Sequence, residues 1–249
     1  MRIFKSSVKE IDKGEIIPAV FLHLQKTAGT TIVDLAWQKY GHAACSHGEF
    51  ETTAKQVLFE KSFVSGHFGY EFAKSLILSR YSFTFLRNPV ERVLSFYFFC
   101  RGRDKNERKI YKLAQSLSLD QFLRAGFDNE LVKSLIWNSQ VWRLACGCPN
   151  DQNKMVDDFL PNDLLRLAKE HLNSFSHIGF TENFERDRDI ILGNLNMQIP
   201  QGKVVSNASK NRLLWKDIPT QTKTLLLELT ELDRQLYEYA WGNRKNFKS

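Results

Sequence analysis

Two short segments of the chain carry residues whose types and spacing could handle an anion. The first is Gln25-Lys26-Thr27-Ala28-Gly29-Thr30-Thr31. Ala28 and Gly29 are small enough to let a backbone approach a ligand closely, Lys26 brings a full positive charge, and Thr30 and Thr31 bring hydroxyl donors. The N–H groups opening the helix that follows would point at the ligand, and the helix dipole favours negative charge there. A Walker loop places its lysine after the glycines, whereas here Lys26 precedes Gly29. Taken alone, the segment reads equally as a strand–turn–helix corner with an exposed lysine. The second segment runs Arg87-Asn88-Pro89-Val90-Glu91-Arg92-Val93-Leu94-Ser95. An arginine closing a strand offers a planar donor fork that matches a phosphate. Ser95 follows about two helical turns later and can bring its hydroxyl to the same side. Alone, Arg87 reads equally as half of a surface ion pair.

These segments need a scaffold, and the hydrophobic pattern supplies one. Ala19 to Leu24 is a short apolar run, followed after the turn by Ile32, Leu35 and Ala36 at helical spacing. Lys61 to Gly66 reads as a second strand, with a helix through Tyr70 to Ser79 after it. Tyr81 to Leu86, rich in aromatic residues, is a third strand, and Asn88 with Pro89 behind it is an N-cap and first helical residue. From Arg108 to Leu172 the leucine and aromatic spacing predicts several helices. Phe175 to Phe180 reads as a return strand, with Thr181 capping a helix whose first turn holds Glu182 and Glu185. Leu225, Leu229, Leu232, Leu236 and Tyr239 form one helical stripe near the C-terminus. Strands alternating with helices predict a single α/β domain over 1–249, with a mostly parallel central sheet flanked by helices. In such sheets ligands bind at the carboxyl ends of the strands, where the turns after Leu24, Gly66 and Leu86 all fall.

Composition narrows the field without choosing. The chain has 249 residues, 43% hydrophobic and 25% charged, with a formal net charge of +7, the profile of a globular protein with anionic ligands. Its densest basic stretch, Arg101 to Lys112, also holds Asp104 and Glu107, which argues against nucleic acid as the partner. No apolar run reaches the roughly 20 residues needed to span a bilayer. The expectation is a soluble chain, cytoplasmic if bacterial, with a Golgi lumenal domain whose anchor lies elsewhere as the alternative. The four cysteines form no paired CxxC motifs, so no zinc site is expected; Cys146-Gly147-Cys148 reads as free thiols more readily than as a redox pair.

Taken together, the two anion segments resemble the PAPS-dependent carbohydrate sulfotransferases (PAPS being 3′-phosphoadenosine 5′-phosphosulfate), closest to the heparan sulfate 2-O-sulfotransferase branch and its bacterial relatives. The resemblance implies that Lys26, Thr27, Ala28, Gly29, Thr30 and Thr31 form a P-loop-like turn for the 5′-phosphosulfate. It implies that Arg87 and Ser95, within an R-x-P-x-x-R-x-x-S pattern, bind the 3′-phosphate. Ser65-Gly66-His67-Phe68-Gly69-Tyr70 is similar to the segment carrying the family's catalytic histidine, and Asn207 to Arg212 resembles the loop that folds over the nucleotide, which brings in Ser209, Lys210 and Arg212. The similarity runs on through Gly179-Phe180-Thr181-Glu182 to the last helix. Three departures bear on the acceptor more than on the donor: Gln25 replaces a proline, Ser65 a histidine and His23 an arginine.

The implied reaction moves a sulfuryl group from PAPS to a carbohydrate hydroxyl, acidic or neutral, releasing 3′,5′-ADP and requiring no metal. His67 is the expected general base and Lys26 the residue that offsets charge on the leaving phosphate. Histidine's unperturbed pKa of about 6.5 suits that work, and Gly66 and Gly69 are expected to let the backbone turn sharply on either side. His23, inside the first strand, is expected to be a core residue. Trp137 and Trp142 are expected to pack rather than stack on sugar, and His42, His47, His171 and His177 have no metal-ligand spacing. A P-loop-like nucleotide kinase, and a non-catalytic glycan- or nucleotide-binding module on the same scaffold, are the alternatives.

Overall fold

The fold is seen in a computed structural model that describes residues 15–44, 49–147, 155–200, 213 and 215–244. Four strands, β1 (Ala19–Leu22), β2 (Phe63–Gly66), β3 (Tyr81–Leu86) and β4 (His177–Phe180), form one sheet in the order β2-β1-β3-β4. All three pairings are parallel: Leu22 lies opposite both Gly66 and Thr84, and Leu86 lies opposite Phe180. A sheet buried on both faces is expected to be apolar throughout, and β1 (Ala-Val-Phe-Leu) is fully buried along its length. Thr84 is tolerated because its hydroxyl donates to the Leu22 carbonyl at 2.8 Å.

The helices are α1 (Thr30–Tyr40), α2 (Lys55–Glu60), α3 (Tyr70–Ser79), α4 (Pro89–Arg101), α5 (Lys109–Ser116), α6 (Leu119–Asp128), α7 (Glu130–Ile136), α8 (Ser139–Ala145), α9 (Pro161–Leu172), α10 (Phe184–Asn194), α11 (Thr220–Leu229) and α12 (Glu231–Asn243). Alternation along β1 sorts them between the two sheet faces. Val20 and Leu22 join residues of α3, α8, α9 and α12 in one cluster. Ala19 and Phe21 join α1 and α10 in another. A third cluster, built by α4 to α7 with α11, holds no sheet residue.

β3 spans the expected Tyr81–Leu86, β2 and β4 each start two residues later than the apolar runs that announce them, and β1 ends two residues earlier, near the turn that follows it. Asn88 does cap α4: its side chain accepts from Glu91 N at 3.2 Å, with Pro89 in the first turn. Two expectations fail. Thr181 caps no helix; its hydroxyl donates to the Leu86 carbonyl at 3.2 Å, and a 3-10 turn over Thr181–Asn183 precedes α10. The C-terminal leucine stripe is two helices broken at Thr230, since Leu225 and Leu229 pack into the helical cluster while Leu232 and Leu236 pack under the sheet.

Candidate active site

At the carboxyl end of β1 the chain keeps pairing for one more residue, with His23 N donating to the Gly66 carbonyl at 3.0 Å, and then turns. Lys26 (φ 70°) and Ala28 (φ 66°) both adopt the left-handed region, which costs a residue with a β-carbon on the order of 1 kcal/mol or more. Gly29 returns to right-handed angles (φ −68°, ψ −13°) before α1 starts. A left-handed residue followed by a right-handed one turns successive N–H groups towards a common point, an anion-binding concavity. Two interactions pin this turn: Thr27, fully buried, donates its hydroxyl to the Leu24 carbonyl at 2.8 Å, and Arg87 Nη1 donates to the Lys26 carbonyl at 3.1 Å.

Gly29 is glycine for a steric reason. A β-carbon there would lie 2.5 Å from His23 Nε2 and 2.6 Å from Phe21 Cζ. His23 is buried and stacks on Phe21 with ring centroids 4.7 Å apart, as expected of a core residue, so its ring forms the floor of the turn.

Lys26 is half-buried, and its ammonium lies 3.9 Å from the centroid of the Phe99 ring on α4. Burial first, then the neighbouring charge of Arg87, lowers its pKa to about 8, with Arg103 acting in the same direction. Arg87 also pairs with Glu91 at 3.7 Å, so it makes the surface ion pair and the turn contact together. Glu91, Ser95 and Phe99 succeed one another at four-residue spacing along one stripe of α4. Glu91 meets the turn through Arg87 and Phe99 meets it through Lys26. Ser95, between them and partly exposed, therefore faces the same turn. Thr30 and Thr31 open α1, with Thr30 exposed and Thr31 partly so.

His67 follows β2. Its Nδ1–H donates to the His23 carbonyl at 2.7 Å, and the His67 and His23 ring centroids are 4.8 Å apart. A carbonyl only accepts, so in the neutral ring the lone pair is on Nε2. Arg143 Nη1, from α8, donates to the His67 carbonyl at 2.6 Å. Neither flanking glycine acts as a hinge: positive φ among the described glycines occurs at Gly41 and Gly147. Packing requires them instead, since a β-carbon on Gly66 would lie 2.5 Å from the Phe68 ring and one on Gly69 2.2 Å from the Cys146 carbonyl.

The structure thus brings Lys26, Thr27, Ala28, Gly29, Arg87 and His67 to one sheet edge, with Thr30, Thr31 and Ser95 at its rim. Ser209, Lys210 and Arg212 lie outside the described residues. The remaining described histidines have other tasks: His171 stacks on Tyr70, His177 sits 3.5 Å from Asp187 and His42 is exposed. Trp142 is 5% exposed in the core beneath the sheet, as expected. Among the described residues no group of three or more His, Cys, Asp or Glu is arranged to hold a metal ion.

Sequence reasoning missed the supports. Gln140 brackets Arg87, with Oε1 accepting from Arg87 N and Nε2 donating to the Arg87 carbonyl, both at 3.0 Å. Glu182, expected in a helix turn, accepts from Asn88 N at 2.7 Å and from Tyr237 Oη at 3.0 Å. Asn138 and Asp233 cap each other's helices. Asn138 Oδ1 accepts from Leu232 N and Asp233 N at 2.8 and 3.0 Å, while the Asp233 carboxylate accepts from Gln140 N and Val141 N at 3.2 and 2.7 Å. Arg92, inside the arginine motif, is 1% exposed and donates to the Leu135 carbonyl at 3.0 Å; it braces α4 against α7.

The parallel sheet thus carries a lysine turn after β1, a histidine after β2 and an arginine after β3 at its carboxyl end, where ligands of such sheets bind. A family model described as "Sulfotransferase family" matches residues 17–240, and the chain belongs to that family. No curated protein matches the chain. The family supports transfer of sulfate as its activity. No helix among the described residues is long and apolar enough to cross a membrane.

Proposed function

We propose that this chain transfers the sulfuryl group of PAPS to a hydroxyl of a carbohydrate acceptor, with His67 as general base and no metal ion. The observation that carries the reading is the hydrogen bond from His67 Nδ1–H to the His23 carbonyl. It holds the neutral imidazole in the tautomer whose Nε2 can take a proton, beside the strand that leads into the Lys26 turn. The donor fits the groups present: the cradle offers N–H groups, an ammonium and a guanidinium, and Glu91, the carboxylate beside them, is paired with Arg87.

When bound, the donor supplies the sulfuryl group and leaves as 3′,5′-ADP. Lys26 and the N–H groups of Thr27 to Thr31 hold the 5′-phosphosulfate end. Charge grows on the leaving phosphate as the bond to sulfur breaks, and a preorganised ammonium and amides offset it without reorganising. Arg87 and Ser95 hold the 3′-phosphate and so select PAPS over ATP, which lacks it. Ser209, Lys210 and Arg212 are assigned to the segment that covers the nucleotide. His67 Nε2 accepts the acceptor's hydroxyl proton as that oxygen attacks sulfur.

The test is sulfuryl transfer from labelled PAPS to a panel of sugars, followed by His67→Ala with the best acceptor at saturation. Removing a general base is expected to lower kcat about a hundredfold or more while 3′,5′-ADP affinity holds. A folded variant with near-wild-type kcat would remove His67 from the reaction, and a protein that transfers to no sugar would remove the carbohydrate acceptor.

A further inference from the structure

The backbone of Arg87 lies one residue beyond the last paired position of β3, where Leu86 faces Phe180. Past that point the ladder offers no partner, and an unpaired buried N–H or carbonyl costs free energy comparable to a lost hydrogen bond. Gln140 supplies the missing partner. Its carboxamide imitates an adjacent strand, accepting from Arg87 N and donating to the Arg87 carbonyl at 3.0 Å each. Gln140 is 1% exposed, so its carboxamide meets the partly buried Arg87 backbone from a water-poor side, where geometry is held tightly. One peptide further, Glu182 accepts from Asn88 N at 2.7 Å. Three side-chain hydrogen bonds therefore fix the two residues from which the Arg87 guanidinium projects to the Lys26 carbonyl.

Gln140 is itself held in place. It sits in the first turn of α8, and its own N–H donates to the Asp233 carboxylate at 3.2 Å, beside Val141 N at 2.7 Å. Asp233 is fully buried in α12. The orientation of Arg87 is thereby referred to the packing of α12 against α8, two helices distant from it in the chain.

We propose that Gln140 is a positioning residue that sets the specificity of the donor site, its carboxamide fixing the backbone of Arg87 so that the guanidinium reads the 3′-phosphate. The inference rests on the donor assignment above. The two glutamine hydrogen bonds are neutral and local to residue 87, and they bear on the Lys26 turn through the Arg87 guanidinium. Their loss should blur discrimination by the guanidinium more than it weakens the 5′-phosphate site, which the Thr27 hydroxyl still pins.

The experiment is calorimetric binding of 3′,5′-ADP and of 5′-AMP to the full chain. Gln140→Met keeps the volume and removes both hydrogen bonds; Gln140→Glu keeps an acceptor for Arg87 N and loses the donor to its carbonyl, and serves if the first variant does not fold. Thermal unfolding of each variant is measured alongside. Wild type should prefer 3′,5′-ADP. In the folded variant that preference should fall about tenfold, the scale of one or two buried hydrogen bonds, with 5′-AMP affinity within about twofold of wild type. A purely structural glutamine would weaken both ligands alike or neither, so an unchanged ratio in either folded variant overturns the proposal. If wild type does not distinguish the two ligands, the donor assignment fails, and this proposal with it.

Discussion

Raising the pH should weaken nucleotide binding through Lys26, in a window its surroundings define. Burial and the adjacent Arg87 lower its pKa to about 8. Below that value the free protein already carries the charge, and affinity is flat; above it, binding an anion must first recruit a proton. A single group with a midpoint at about 8 is roughly nine-tenths protonated at pH 7 and one-tenth at pH 9, so affinity for 3′,5′-ADP should fall about tenfold between them. The ligand hardly blurs the window, since the second ionisation of its phosphates lies near pH 6 and is about nine-tenths complete at pH 7. Calorimetry at constant ionic strength reads the fall directly. Repeating it at pH 8 in buffers of different ionisation enthalpy should show uptake of about half a proton. Lys26→Met should bind more weakly and with no such dependence. A flat wild-type affinity from pH 7 to 9, or the same slope in Lys26→Met, would show that Lys26 does not meet the nucleotide as a cation.

Arg87→Ala should weaken 3′,5′-ADP binding by about 2 kcal/mol and 5′-AMP binding clearly less, through the lost hydrogen bond to the Lys26 carbonyl; equal losses for both ligands would deny it the 3′-phosphate. Gly29→Ala meets no conformational penalty at φ −68°, yet its β-carbon would strike His23 and Phe21. Thermal melts should show a loss of about 2 kcal/mol or more, and a normal melting temperature would mean that the floor yields. Asn138 (φ 39°) combines a left-handed backbone with the α12 cap. Asn138→Ala should cost about 2 kcal/mol or more, and Asn138→Gly, which relieves the backbone but still lacks the cap, measurably less; identical denaturation midpoints for the two would remove the backbone from the account.

The residues assigned to the ligand were legible because their chemistry depends on local order. Lysine before Ala28-Gly29 at a strand end, and arginine before Asn88-Pro89, are patterns spanning fewer than ten residues, and a turn or a capped helix follows from such a stretch almost alone. Strand identity was legible for the same reason: fully buried parallel strands read as apolar runs. His67 came from resemblance, since one histidine between two glycines has no local signature of a base. Its tautomer came from the His23 carbonyl, on a different strand and more than forty residues away in the chain.

The sequence by itself determined the α/β alternation, the lysine turn after β1 and the capped arginine helix, because each is set by neighbours within a turn or two. Tertiary structure alone decided that Gly66 and Gly69 serve packing, that Thr230 splits the leucine stripe between two cores, and that Gln140 stands in for a missing strand beside Arg87. Each of these depends on what another part of the chain brings to within a few ångströms. A glycine, a leucine period or a lone glutamine reads the same whichever neighbour arrives, so only the packed chain could tell them apart.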